Sequence, residues 1–185
     1  KYLMNSTESL LNKAHALLAQ IEKLLPSATP AEPAWGEASA FRWDQRQRVL
    51  HPVANFQRIR LDDLLGINDQ KQRIQQNTRQ FVRGGTANNV LLSGARGTGK
   101  SSLVKALLNE YADQGLRVIQ IDKQGLVDLP LIVGLVQGRA ERFILYCDDL
   151  SFNADEPGYQ TLKAALDGDL VAFSDNLLIY ATSNR

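Results

Sequence analysis

The chain has 185 residues, 44% of them hydrophobic and 22% charged, the balance of a globular protein with a real core. Its 21 basic and 20 acidic residues leave a net charge of +1, so bulk charge implies no polyanionic partner. No apolar run approaches the ~20 residues that span a bilayer, the N-terminus lacks the layout of a secretory leader, and the single cysteine, Cys147, excludes an internal disulfide. A soluble, cytoplasmic protein without a membrane partner is expected. Because the chain starts at Lys1 without a methionine and stops at Arg185 just past an apolar run, it is expected to be a piece of something longer.

Residues 1–25 predict an amphipathic helix. Asn5 can cap it, Glu8 completes a capping-box pattern, and Leu10, Ala14, Leu17, Ile21 and Leu24 recur at helical spacing. The stripe serves either packing on its own domain or a partner. Residues 26–33 are rich in Ala, Pro, Ser and Thr and read as a linker. An aromatic and basic stretch follows, making 26–60 a linker and aromatic–basic segment. Arg42, Arg46, Arg48, Arg58 and Arg60 lie among Trp35, Trp43 and Phe56. Such a mixture can stack on single-stranded nucleic acid; the plainer reading is a solvated face with its aromatics anchored in a core. His15 and His51 have no partner at metal-ligand spacing.

From about residue 61, strands at 89–93, 117–122, 143–147 and 177–182 alternate with helices at 101–114, 126–137 and 159–166. That alternation predicts an α/β fold with a parallel sheet covered on both faces. Between the first strand and first helix lies Gly94-Ala95-Arg96-Gly97-Thr98-Gly99-Lys100-Ser101, a complete G-x-x-x-x-G-K-[ST] P-loop. The glycines let the backbone wrap until its N–H groups face phosphate oxygens. Lys100 brings a mobile charge to the β and γ phosphates, and Ser101 offers a hydroxyl to Mg²⁺ at the positive end of a helix. Ser102, in the same turn, belongs to the same nucleotide-binding set. The strand–loop–helix order is the context that the motif requires. ATP and Mg²⁺ are therefore the expected cofactors.

The apolar run Phe143-Ile144-Leu145-Tyr146-Cys147 ends in Asp148-Asp149. If this strand lies near the P-loop, Asp148 can hold Mg²⁺, directly or through water, and Asp149 can orient or deprotonate the attacking water. The alternative is a strand that simply ends in a polar turn. Cys147 reads as a small buried apolar residue.

With these residues in place, the sequence from 61 to 185 resembles an AAA+ ATPase. The stretches that carry the likeness are Leu61-Asp62-Asp63-Leu64-Leu65-Gly66-Ile67 with Asp69-Gln70-Lys71, Leu162-Lys163-Ala164-Ala165-Leu166-Asp167-Gly168, and Leu177-Leu178-Ile179-Tyr180-Ala181-Thr182-Ser183-Asn184. The resemblance implies that Leu65, Gly66 and Ile67 lie against adenine and that Asn184 is the polar residue positioning the water. More narrowly, Asn77-Thr78-Arg79-Gln80-Phe81-Val82-Arg83-Gly84 and Ala181-Thr182-Ser183-Asn184-Arg185 are similar to a bacterial family of predicted AAA+ ATPases catalogued as a domain of unknown function.

Two departures bear on function. The family's usual Asp-Glu is Asp148-Asp149 here, one methylene shorter, so hydrolysis is expected to be slow or to rely on a repositioned water, with Asp155 and Glu156 as the carboxylates that could substitute. The family's fifth strand, lid and arginine finger have no counterpart before Arg185, which would leave the P-loop strand at an open sheet edge. The resemblance implies an ATPase that, when full length, forms a homo-oligomer and remodels a protein partner. An ATP-dependent nucleic-acid loader and a nucleotide-gated scaffold with little turnover are the alternatives.

Overall fold

The computed structural model describes residues 13–17, 32–54, 58–151, 157–166 and 174–184. Of the expected N-terminal helix, residues 13–17 are helical and exposed; its remaining stripe, most of the 26–33 linker, Asp155 and Glu156 lie outside the described residues.

The strands are β1 (Ala40–Asp44), β2 (Val49–Pro52), β3 (Val90–Ser93), β4 (Leu116–Ile121), β5 (Arg142–Cys147) and β6 (Leu177–Ser183). The helices are α1 (Asn68–Val82), α2 (Lys100–Tyr111), α3 (Leu129–Val136) and α4 (Pro157–Leu166). They build one sheet in the order β2-β1-β4-β5-β6-β3. Every neighbouring pair is parallel except β1 with β2. Strand β3, which leads into the P-loop, is an edge strand among the described residues, with β2 at the opposite edge.

Period-two alternation along β5 divides the core. Ile144 and Tyr146 face one side with Val118, Leu178 and Tyr180, under Leu103, Val104, Leu107 and Leu108 of α2 and Ile74 and Phe81 of α1. Phe143, Leu145 and Cys147 face the other side with Ile119, Ile121 and Ile179, under Ile132 and Val136 of α3 and Leu162 of α4. A central strand buried on both faces is expected to be apolar throughout, as β5 is. Tyr180 fixes α1 to the sheet, because its hydroxyl meets Thr78 Oγ1 at 2.9 Å and accepts the Asn77 amide at 3.0 Å.

Residues 40–52 differ from the sequence reading, which set 26–60 apart from the core. They form a hairpin that extends the sheet beside β4, in register Phe41↔Ile119 and Arg42↔Gln120. Phe41 and Trp43 point inward and are buried, as is Trp35 in the turn before the hairpin. The Trp43 indole donates to buried Asp128 at 3.1 Å. Asp44 Oδ1 accepts the N–H groups of Arg46 and Gln47 at 2.8 and 2.9 Å, closing the turn. Trp35 and Trp43 are thus anchored in the core, the plainer of the two readings, while Phe56 lies outside the described residues. The single helix expected at 126–137 is a 3₁₀ segment, Lys123–Asp128, followed by α3. Pro130, in the first turn of α3, explains the break: it has no N–H to continue a helix arriving from upstream.

Candidate functional site

The P-loop runs from the end of β3 to the start of α2. Gly94, Gly97 and Gly99 have φ of +146°, +83° and +84°, which a residue with a Cβ adopts only under strain. Gly99 occupies the N-cap of α2 in a left-handed conformation, without a side-chain cap and with no acidic residue in the first turn. The first N–H groups of α2 are consequently left to an external acceptor, with the positive end of the helix dipole behind them. Inside the loop, Thr98 Oγ1 donates to the Ala95 carbonyl at 2.9 Å. The Lys100 ammonium donates to the carbonyls of Gly94 and Ala95 at 2.7 and 2.8 Å. Lys100 is therefore folded over the loop that its charge would serve. Arg96 is exposed at the loop tip.

Parallel pairing sets Cys147 opposite Ala181, so the residues that follow β5 and those that end β6 meet above the sheet. The Ser101 hydroxyl donates to Asp148, at 2.8 Å to Oδ1 and 3.1 Å to Oδ2. Asp148 Oδ1 also accepts the Thr182 hydroxyl at 2.5 Å. Asp149 has a left-handed backbone, φ +53°, and its N–H donates to Thr182 Oγ1 at 2.8 Å. The Asn184 amide donates to Asp149 Oδ1 at 2.6 Å. The residues proposed from sequence for the metal and water positions are thus joined in one hydrogen-bonded chain, Ser101–Asp148–Thr182–Asp149–Asn184. Thr182 is the member that sequence reasoning did not single out.

Burial pushes the Asp148 carboxyl up, but the hydroxyls of Thr182, Tyr146 and Ser101 and the Asp149 N–H outweigh it and hold the group below its ordinary value. It stays ionised, as a metal ligand needs to be. Burial raises the Tyr146 hydroxyl well above its usual range. That hydroxyl sits among Ser101, Asp148 and Thr182, yet makes no hydrogen bond of good geometry. Tyr146 and Asp148 also line a cleft of about 230 Å³ between the sheet and α2. Burial likewise pushes the Cys147 thiol up to about 12, so Cys147 is a buried, protonated thiol.

These donors fit Mg²⁺. Ser101 and Asp148 supply hard oxygens, and the orphaned Tyr146 hydroxyl leaves one polar group beside them to satisfy. Among the described residues no cluster of three or more His, Cys, Asp or Glu could form a closed metal cage. Mg²⁺ is commonly held by one or two protein oxygens, with water and phosphate completing the octahedron.

Leu65, Gly66 and Ile67 form the turn before α1. The Lys71 ammonium secures it by donating to the carbonyls of Leu61 and Leu64 at 3.1 and 3.2 Å. Gly66 has φ +76°, Leu65 is 86% exposed, and Ile67 packs at the edge of the α1–α2 core. An apolar side chain standing this far into solvent is available to a flat apolar ligand.

The strand order, the glycine loop between β3 and α2, and the carboxylates beyond β5 define the class: an AAA+ P-loop fold. A profile described as "Protein of unknown function (DUF815)" matches residues 36–185, and the chain belongs to that family. Its fold is similar to that of the Thermotoga maritima RuvB Holliday junction branch migration motor, at TM-score 0.51 and 18% identity, over 71% of this chain and 43% of that one. It is also similar to DnaI, at TM-score 0.50 and 18% identity, over 81% of this chain and 77% of that one. The chain thus spans less than half of RuvB. No curated protein matches the sequence. Among the described residues no helix is long and apolar enough to cross a membrane.

Proposed function

We propose that this chain binds ATP with Mg²⁺ at residues 94–102 and hydrolyses the γ-phosphate by in-line attack of water. The observation that carries the reading is the direct contact of Ser101 with Asp148 beside a left-handed glycine loop and an uncapped helix N-terminus. An uncapped positive helix end facing hard-oxygen donors suits a metal-bound polyphosphate and little else.

On this reading Lys100 exchanges the carbonyls of Gly94 and Ala95 for β- and γ-phosphate oxygens. The loop N–H groups bind the remaining oxygens, and Leu65, Gly66 and Ile67 receive the adenine. Ser101 and Asp148 would hold Mg²⁺, whose charge would offset that building on the phosphates. Asp149, oriented by Asn184, accepts a proton from the attacking water. Its side chain is one methylene shorter than glutamate, so turnover is slow. Hydrolysis drives the remodelling of a protein partner, and the working form is a homo-oligomer in the cytoplasm. Burial of Trp35 and Trp43 takes two of the three aromatics offered for stacking on single-stranded nucleic acid out of reach, which favours the protein partner. A nucleotide-gated scaffold is the reading that remains if Asp149 supports no turnover.

Calorimetric titration with ATP, with and without Mg²⁺, tests the site. Asp148→Asn is expected to raise the Mg²⁺ concentration required at least tenfold while leaving metal-free ATP affinity within threefold. Equal Mg²⁺ dependence in variant and wild type would remove Asp148 from the metal site.

A further inference from the structure

Asp149 is a non-glycine residue held in the left-handed region at φ +53°, immediately after the aspartate that Ser101 contacts. Such a backbone persists only where its surroundings fix it. Here three hydrogen bonds do so, and all three end on one residue. Thr182 Oγ1 donates to Asp148 Oδ1 at 2.5 Å. The same oxygen accepts the Asp149 N–H at 2.8 Å. The Thr182 carbonyl accepts the Leu150 N–H at 2.6 Å.

We propose that Thr182 is a positioning residue that sets both carboxylates of the site through a single hydroxyl. The role rests on the ATPase reading for its purpose, though not for its geometry. A hydroxyl carries one donor and two acceptor lone pairs, so it can orient the Asp148 carboxylate and hold the Asp149 amide at once. Threonine suits the position further because its branched Cβ limits χ1 in a strand, fixing the direction of the hydroxyl. Thr182 is 1% exposed and pairs with Leu92 of β3, so its backbone is tied to the strand that carries the P-loop. Asn184 lies two residues on, and its amide holds the Asp149 carboxylate. The end of β6 therefore fixes Asp149 twice, by its amide through Thr182 and by its carboxylate through Asn184.

The test compares Thr182→Val and Thr182→Ser with wild type in the intact protein. Valine keeps shape and branching but cannot bond; serine keeps the hydroxyl. The first readout needs neither ATP nor metal: amide hydrogen exchange at Asp149, held by the Thr182 side chain, and at Leu150, held by its backbone. In Thr182→Val the Asp149 amide is expected to exchange at least tenfold faster, with Leu150 within threefold of wild type. For ATP hydrolysis, kcat is expected to fall tenfold or more while KM stays within threefold. Thr182→Ser restores both readouts to within threefold. If Thr182→Val does not fold, Thr182→Ala reads the same two amides. An Asp149 amide as protected as in wild type overturns the proposal. So does joint loss of protection at Asp149 and Leu150 that serine fails to restore, the mark of a purely structural role, or a changed Asp149 amide with unchanged kcat. Wild-type protein without any turnover would instead defeat the ATPase reading, and the exchange pattern would still decide whether Thr182 sets the two aspartates.

Discussion

The Asn184 amide donates to Asp149 Oδ1 at 2.6 Å, joining the residue beyond β6 to the second carboxylate beyond β5. Neither residue belongs to the P-loop, and the pair exists only because β5 and β6 are parallel neighbours whose C-terminal ends emerge together. On the proposed reading the relationship divides the site into a half that would hold phosphate and metal and a half that would handle water.

That division is testable by substitution. Asp149→Asn cannot accept a proton and is expected to hydrolyse ATP about 10²-fold more slowly or worse, with ATP–Mg²⁺ affinity within threefold of wild type. Asn184→Ala leaves the carboxylate in place but unoriented, and about a tenfold loss of kcat is expected. Phosphate-release kinetics beside equilibrium ATP binding separate the two effects. A wild-type rate in Asp149→Asn would move the catalytic carboxylate to Asp155 or Glu156.

Trp43→Phe should lower stability without touching the site. It removes the indole N–H from Asp128, which is only 7% exposed, and leaves that side chain short of a partner. A buried acceptor without its donor costs about 1–3 kcal/mol. Urea unfolding should report a loss of that size, with ATP affinity unchanged. A loss of ATP affinity instead would mean that the hairpin participates in the nucleotide site.

Cys147 is expected to resist alkylation. Burial, with the Asp122 and Asp148 carboxylates nearby, pushes its thiol up to about 12, and the residue is 1% exposed. A raised thiol pKa lowers the thiolate fraction at every pH below it, by roughly a thousandfold near neutrality. Maleimide labelling at pH 8 should be negligible in the native protein and complete once it is unfolded. Rapid native labelling would revive a redox role for this cysteine.

The phosphate half of the site was legible in the sequence because its fixed residues are contiguous. Gly94, Gly97, Gly99, Lys100 and Ser101 fall within one turn and one helix start, so local spacing identifies them. Asp148 and Asp149 were legible as two carboxylates ending an apolar strand downstream of a full P-loop, whereas Asn184 needed the resemblance to an AAA+ sequence, since strand order alone brings it to them. Thr182 escaped because its role follows from register, with Ala181 opposite Cys147, and a buried threonine near a strand end looks like any β-branched packing residue. The β1–β2 hairpin left a signal that was read for its charge instead of its period: Phe41 and Trp43 alternate with Arg42, and Asp44 begins the turn. Helix α1 escaped for another reason. Only Ile74, Thr78 and Phe81 are buried in its fifteen residues, a stripe too narrow to stand out from the Gln, Asn and Arg around it.

The central claim, that residues 94–102 bind ATP, is tested most directly by calorimetric titration of Mg²⁺–ATP into the wild-type protein and Lys100→Ala. The Lys100 ammonium donates to the Gly94 and Ala95 carbonyls, and on the proposed reading it would move from them to the β and γ phosphates. A saturable one-to-one isotherm is expected for wild type, with affinity at least tenfold weaker in Lys100→Ala at unchanged thermal stability. Affinities within threefold of each other, or no binding by the wild-type protein, would contradict the account.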